Sequence, residues 1–177
     1  MAKVIIVDEK ICMACKSCVL QCAMAHTDAR SFVEAIQSDN PPQSRIHIEA
    51  GEQFGMPLQC RHCEDAPCMM VCPTEAISRA SDLGPVILDQ LQCIGCRFCM
   101  QACPFGVIDL SRDHKAMIKC DLCIEITGAG EDPACVTACP TGALKFVELD
   151  DFLRDQRRTV AAMLAGKQEA PANSEKL

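Results

Sequence analysis

The chain of 177 residues has no tryptophan and no tyrosine, and aromatic residues make up only 3% of it. The large side chains that usually dominate a core are nearly absent, so something else must fill the interior. Long apolar runs are missing as well. None approaches the roughly 20 residues a membrane helix requires, which predicts no direct membrane insertion. Positive charge is scarce: 17 Lys and Arg face 24 Asp and Glu, and the net charge of -7 argues against nucleic acid as a partner. Residues 1–8 read as a short strand ending in an acid, too short and too early interrupted for a signal segment, and no twin-arginine pair precedes it. The expectation is a cytoplasmic protein, where thiols stay reduced and a cysteine-rich pattern binds metal in preference to forming disulfides.

What the chain has is 16 cysteines. They fall into four groups: Cys12/Cys15/Cys18/Cys22, Cys60/Cys63/Cys68/Cys72, Cys93/Cys96/Cys99/Cys103 and Cys120/Cys123/Cys135/Cys139. The third group ends in Pro104 and is the C-x2-C-x2-C-x3-C-P run of bacterial iron-sulfur proteins. Three of its cysteines curl around one corner of a cube, and the fourth, in two-cluster ferredoxins, ligates the cluster of another run. A single zinc ion explains this spacing less well, because three cysteines within seven residues plus a fourth oversupply one tetrahedral ion. Such clusters would fill the aromatic-poor interior, and their binding energy would become folding energy.

The four groups repeat in pairs. Groups one and three share the same spacing, and each follows an apolar strand and an acid, Ile6-Val7-Asp8 or Ile87-Leu88-Asp89. Groups two and four share a stretched third interval with Pro67 or Pro133 just before the third cysteine, which points to a tandem doubling of a two-group unit. After groups two, three and four comes a common tail, with Pro73, Pro104 or Pro140 turning the chain off the cluster into the aliphatics Ile77, Ile108 or Leu144. Group one departs from this pattern. Cys22 is followed by Ala23 and a helix-like continuation, and Ala14 stands where group three has Gly95, a position where lacking a Cβ lets backbone pass close to a cluster.

Between the groups, residues 23–55 form the longest cysteine-free spacer, with loop chemistry at residues 39–44 and an alternating edge strand at residues 45–50. Residues 81–84 close a hairpin between Ile77 and residues 86–88. Asp150 is placed to cap a helix with Phe152, Leu153, Val160, Met163 and Leu164 at helical spacing and Gly166 as its stop. Residues 167–177 read as a flexible tail.

His26, His47, His62 and His114 are expected to be structural or solvated, since four complete cysteine sets leave no vacancy; His62, between Cys60 and Cys63, is also placed to tune a potential through its charge. Met13, Met24, Met69, Met70 and Met100 flank ligands as soft packing. Lys16, Arg61, Arg97 and Lys119 lie beside cysteines, where they either raise local reduction potentials or are solvated surface. There is no nucleophile elbow, P-loop or G-x-G-x-x-G, so no catalytic residue is assigned. With every cysteine committed as a ligand, the expected activity is electron relay.

Cys60-Arg-His-Cys63-Glu-Asp-Ala-Pro-Cys68-Met-Met-Val-Cys72-Pro73, the group-three run, and Lys119-Cys-Asp-Leu-Cys123 with residues 133–143 give the chain a specific likeness. It resembles the four-cluster, ferredoxin-like electron-transfer subunits of molybdenum or tungsten oxidoreductases such as formate dehydrogenase and dimethyl sulfoxide reductase. Similar proteins serve formate hydrogenlyase, carbon monoxide dehydrogenase, tungsten aldehyde oxidoreductases and benzoyl-CoA reductases. The resemblance implies an α+β fold of two ferredoxin-like modules related by pseudo-twofold symmetry, with small β-hairpins, short helices and a C-terminal helix. Residues 1–55 with 112–149 would form one module, residues 56–111 the other, and residues 150–166 the helix. It further implies four 4Fe-4S clusters with nested ligands: Cys12/Cys15/Cys18/Cys139, Cys120/Cys123/Cys135/Cys22, Cys60/Cys63/Cys68/Cys103 and Cys93/Cys96/Cys99/Cys72. The repeat alone allows adjacent pairing equally. The implied partners are a catalytic subunit of molybdenum or tungsten pterin type and an external carrier or second redox subunit. A freely diffusing polyferredoxin is the alternative.

Overall fold

The structure is a computed structural model that describes residues 3–39, 41–52 and 54–166; the tail expected at residues 167–177 lies outside the described residues. In chain order, β1 (Lys3–Val7) leads through the first cysteine loop into α1 (Ser17–Ala25), and α2 (Phe32–Gln37) precedes the hairpin of β2 (His47–Ala50) and β3 (Gly55–Leu58). Then come α3 (Pro67–Met70), the hairpin of β4 (Ile77–Arg79) and β5 (Val86–Leu88), and α4 (Phe98–Ala102). The chain continues with β6 (Asp109–Leu110), β7 (Met117–Ile118), α5 (Ile124–Gly128), α6 (Ala134–Thr137), β8 (Leu144–Glu148) and α7 (Leu149–Leu164). Short helices and small sheets make the fold α+β.

Four two-stranded antiparallel sheets form, β1 with β8, β2 with β3, β4 with β5 and β6 with β7. The first joins the two ends of the described chain, with Ile5 opposite Phe146 and Val7 opposite Leu144. At its edge Asp8 N donates to Ala143 O at 2.8 Å, and at the same place in the β4–β5 sheet Asp89 N donates to Ala76 O, also at 2.8 Å. Both acids then turn the chain toward a cysteine loop through their side chains, accepting from Lys10 N (3.1 Å) and Leu91 N (2.8 Å). The repeated acid in the sequence is therefore a turn-former.

Two apolar cores lie beneath these sheets. One gathers Ile5, Cys18, Cys22, Ile46, Leu122, Cys135 and Leu144, and the other Ala66, Cys68, Ile77, Val86, Cys99, Ile108 and Met117. Helix α1 packs on α6, and α3 on α4. Aromatic rings contribute to neither set of buried residues, and cysteines supply five of the fourteen.

Helix α2 was not expected from the pattern of its spacer. It starts at Ser31, whose Oγ accepts from Glu34 N at 3.2 Å while Glu34 reaches back to Arg30 N at 2.9 Å, a variant of the capping box. At the other end of the chain, the expected cap Asp150 is not one. Glu148 occupies the N-cap of α7 without a side-chain hydrogen bond, and Asp150 and Asp151 instead fall in the first turn, where carboxylates favour the amide end of the helix dipole. Gly166 ends this helix as expected, at φ +67° with its N–H on Met163 O. The helix leans on β8 but leaves Leu153, Val160, Met163 and Leu164 exposed.

Candidate metal centres

All four C-x2-C loops adopt one backbone shape. The residue just before the second cysteine is left-handed in each: Ala14 (φ +53°), His62 (+49°), Gly95 (+67°) and Leu122 (+58°). A left-handed residue there turns the chain, and in groups two and four His62 N and Leu122 N each donate to the first cysteine Sγ at 3.4 Å. Only one of the four positions has the glycine that the conformation favours. At Gly95 a Cβ would stand 2.9 Å from Lys115 O, so the close approach there is to backbone.

In groups one and three a second left-handed residue, Lys16 or Arg97, starts the helix that carries the third cysteine. The fourth follows four residues later, one turn or about 6 Å along, and so leaves the loop that holds the other three. After it, groups two, three and four make the same turn. Glu75 N, Gly106 N and Gly142 N each donate to the carbonyl of Cys72, Cys103 or Cys139 at 3.3 Å, and all three donors have positive φ. Group one lacks this turn. There α1 continues to Ala25, and His26 Nδ1 bonds the Cys22 carbonyl at 2.7 Å.

Two cavities collect thiols from different groups. One is lined by Cys60, Cys63 and Cys68 together with Cys103, and by His62 and Val86. The other is lined by Cys12, Cys15 and Cys18 together with Cys139. Cys22 lies against Cys135 in the first core, while Cys72, Cys93 and Cys99 share the second. All 16 cysteines are free thiols.

Cys96 is half-buried on the group-three loop, where Ile94 and Arg97 face solvent, and its charge raises Cys99. Cys120 and Cys123 are both buried, and Cys135 senses Cys123 while Cys120 senses Cys135 and Cys22.

Several thiols sense one another electrically. Burial pushes Cys18 and Cys99 up to about 11 and Cys135 to about 12, with the charges of Cys22, Cys123 and Cys18 adding to the last. Cys120 is pushed up by burial and by Cys22, Cys135 and Cys60. Crowded buried thiolates repel, and a cationic metal core relieves that repulsion while displacing the protons. The all-sulfur donor sets therefore fit iron-sulfur clusters. When bound, such clusters supply one-electron redox centres.

The histidines differ in their surroundings. Burial and the charge of Lys119 push His62 down to about 3, and its Nδ1 accepts from Val86 N at 3.0 Å. Both effects disfavour its charged form. His26 behaves oppositely. Burial would lower it, but bonds to Asp121, Cys123 and Cys22 hold it up at about 12. Asp121 accepts from His26 at 3.1 Å and from Arg45 at 2.5 Å, and these cations hold its carboxyl below the usual range despite burial. His26, Asp121 and Cys123 converge, but Cys123 belongs to a cysteine group and the histidine is fully bonded, so they form no separate metal site.

Of the four basic residues beside cysteines, Lys16, Arg61 and Arg97 are exposed and Lys119 is buried. Sequence reasoning missed Arg45 and Asp121, 76 residues apart, and no local signal links them. It also missed Thr74 and Thr141, whose hydroxyls lie 3.7 Å from Cys72 and Cys139. The Cys-Pro-Thr triplet repeated in two tails was the available clue. Arg79 likewise went unremarked, and it donates to the carbonyls of Cys63, Glu64 and Gly84 to brace the group-two loop.

Thiols from four runs, converging from distant segments on cavities without a reactive side chain, define a protein of ferredoxin type. Residues 52–149 match the family described as 4Fe-4S dicluster domain, a stretch that excludes group one. An iron-sulfur protein of Rhodospirillum rubrum is 38% identical, over 82% of this chain and 84% of that one. The electron transport protein HydN of Escherichia coli is 35% identical over 92% and 99%. The thiosulfate reductase electron transfer subunit PhsB of Salmonella typhi is 39% identical over 81% and 74%. The chain belongs to this 4Fe-4S dicluster family of electron-transfer proteins, and its sixteen cysteines suffice for four 4Fe-4S clusters. Its role is to carry electrons, not to catalyse. No helix among the described residues is long and apolar enough to cross a membrane.

Proposed function

We propose that the chain relays electrons through four nested sites, Cys12/Cys15/Cys18/Cys139, Cys120/Cys123/Cys135/Cys22, Cys60/Cys63/Cys68/Cys103 and Cys93/Cys96/Cys99/Cys72, as the iron-sulfur subunit of a larger oxidoreductase. The single observation behind this reading is the cavity that Cys139 shares with Cys12, Cys15 and Cys18. The Cys103 cavity, the β1–β8 sheet and the two helix pairs agree with it. For the last set the support is the core shared by Cys72, Cys93 and Cys99, with Cys96 joined to it through its charge on Cys99. In this reading residues 1–55 with 112–149 form one module and residues 56–111 the other, related by a pseudo-twofold axis. The paired Asp8–Ala143 and Asp89–Ala76 bonds support that symmetry.

Electrostatic coupling between cysteines of different sets supports a linear order of the sites. Cys135 senses Cys18, Cys120 senses Cys60, and Cys99 senses Cys68, so each site neighbours the next from Cys12 to Cys93. The chain's own part in the transfer is to hold these thiols at fixed separations and keep water from the inner ones. All four cysteines of the second set are buried, whereas Cys15 of the first is exposed.

The partner proposed is a catalytic subunit of molybdenum or tungsten pterin type, with an external carrier or second redox subunit at the far end, in the cytoplasm. A relative named as an electron transfer subunit of thiosulfate reductase supports a catalytic partner. Anaerobic purification with metal analysis tests the whole reading. It should give about 16 iron and 16 sulfide per chain, in a complex larger than the 19.2 kDa chain. Stoichiometric zinc in place of iron overturns the sites, and migration of the fully loaded chain alone favours the polyferredoxin alternative.

A further inference from the structure

Lys119 is 3% exposed, a charged side chain inside a protein whose other cysteine-flanking cations face solvent. Its Nζ donates to the carbonyls of Val86 and Cys120, the latter at 2.8 Å, and among the described residues no carboxylate pairs with it. Burying an ammonium costs several kcal/mol unless an opposite charge answers it. Two carbonyl dipoles offset part of that cost, so the remaining compensation has to come from nearby negative groups.

Those groups can be located. Val86 is 1% exposed and lines the cavity of Cys60, Cys63, Cys68 and Cys103, and its N–H is taken by His62 of the same loop. Through Val86, then, Lys119 touches the wall of one site, and through its own following peptide it touches Cys120 of another. Cys68 feels the lysine's charge, and Cys120 feels Cys60. The ammonium stands where the two inner sites approach each other.

We propose that Lys119 is the counter-charge shared by the two inner ligand sets, Cys22/Cys120/Cys123/Cys135 and Cys60/Cys63/Cys68/Cys103, and that it raises the reduction potential of both. Reduction of either site adds one electron from an external one-electron donor, breaks no bond and moves no proton, so a fixed positive charge nearby favours the reduced state. The clamp on Val86 keeps that charge in place. The inference rests on the ligand sets proposed above.

Three full-length variants, assembled anaerobically with iron and sulfide, test it. Lys119→Met removes charge and donors, Lys119→Gln removes the charge but keeps two N–H donors, and Lys119→Arg keeps the charge. Dithionite titration followed by electron paramagnetic resonance should show two of four midpoints falling in the neutral variants by roughly tenfold in the reduction equilibrium, about 59 mV for a one-electron couple. Lys119→Arg should hold them near the wild-type values. Iron content of the wild type is measured first: a protein that does not hold four clusters defeats the ligand sets, separately from the lysine. Fully loaded neutral variants with unchanged midpoints, or with all four shifted alike, overturn the proposal. Failure of both neutral variants to hold four clusters also overturns it, because the lysine is then a structural prop.

Discussion

His26 Nε2 donates to Asp121 Oδ1 across 3.1 Å, tying the end of α1 to the group-four loop 95 residues later. Arg45 completes the tie from the spacer, and the Arg45 amide donates to Cys22 Sγ at 3.3 Å. Three segments thus meet around one carboxylate beside the most buried cysteine set.

Asp121→Asn should cost about 2 kcal/mol, since it strips two cations of their partner in a partly buried place. The pH dependence follows from the signs. The carboxyl is lowered on folding, so its stabilisation is complete above the ordinary carboxylate range and fades as pH falls through it; His26 is raised to about 12, so its share is complete below the ordinary histidine value and is lost progressively as pH rises above it. Thermal midpoints of the loaded protein should be highest between about pH 5 and pH 6 and fall as pH rises above about 6.5. In the asparagine variant His26 loses its anion, and that fall should shrink. A variant as stable as the wild type, with the same loss above about pH 6.5, would contradict this account.

Gly55 is matched to Ala14. A Cβ on Gly55 would stand 3.0 Å from the Ala14 Cβ, so the glycine in β3 makes room for the alanine that group one has where group three has Gly95. Gly55→Ala should destabilise the protein by about 1 kcal/mol through overpacking. Adding Ala14→Gly should recover most of that loss, because it removes both the contact and a left-handed alanine. A double-mutant cycle from denaturant unfolding of the loaded protein measures the coupling; strictly additive costs would mean the two do not compensate.

Cys22→Ser discriminates the pairings. If Cys22 serves the site of Cys120, Cys123 and Cys135, its loss should remove or alter that cluster, lowering iron to about 12 per chain and sparing the spectrum of the group-one site. Loss of the group-two cluster instead would favour adjacent pairing.

Much of the local architecture was legible because it depends on few neighbours. The Ser81–Gly84 closure of the β4–β5 hairpin, with Gly84 N on Ser81 O at 2.9 Å, follows from turn chemistry alone. The turn after each Cys-Pro is set by the ring and the next two residues. The capping box of α2 was present as Ser31 and Glu34 but lay in a spacer with no strong apolar period. Asp150 failed as a cap because the chain enters α7 directly from β8, leaving the N-cap to Glu148. Burial and the charge of Lys119, neither visible from Cys60-Arg-His-Cys63, push the His62 ring toward its neutral form.

Spacing along the chain was enough to dictate the metal chemistry and the shape of each three-thiol loop, since a few bonds of tightly turning backbone bring those sulfurs together. The partner for each fourth thiol was beyond its reach, because a repeated unit satisfies either arrangement equally. Folding alone decides that Cys139 lies beside Cys12, Cys15 and Cys18 and that Lys119 reaches Val86, through a sheet that pairs residues nearly the whole chain apart and a buried cation bonded to the Val86 carbonyl. Burial and long-range contact are properties of the packed molecule, and no short window of residues contains them.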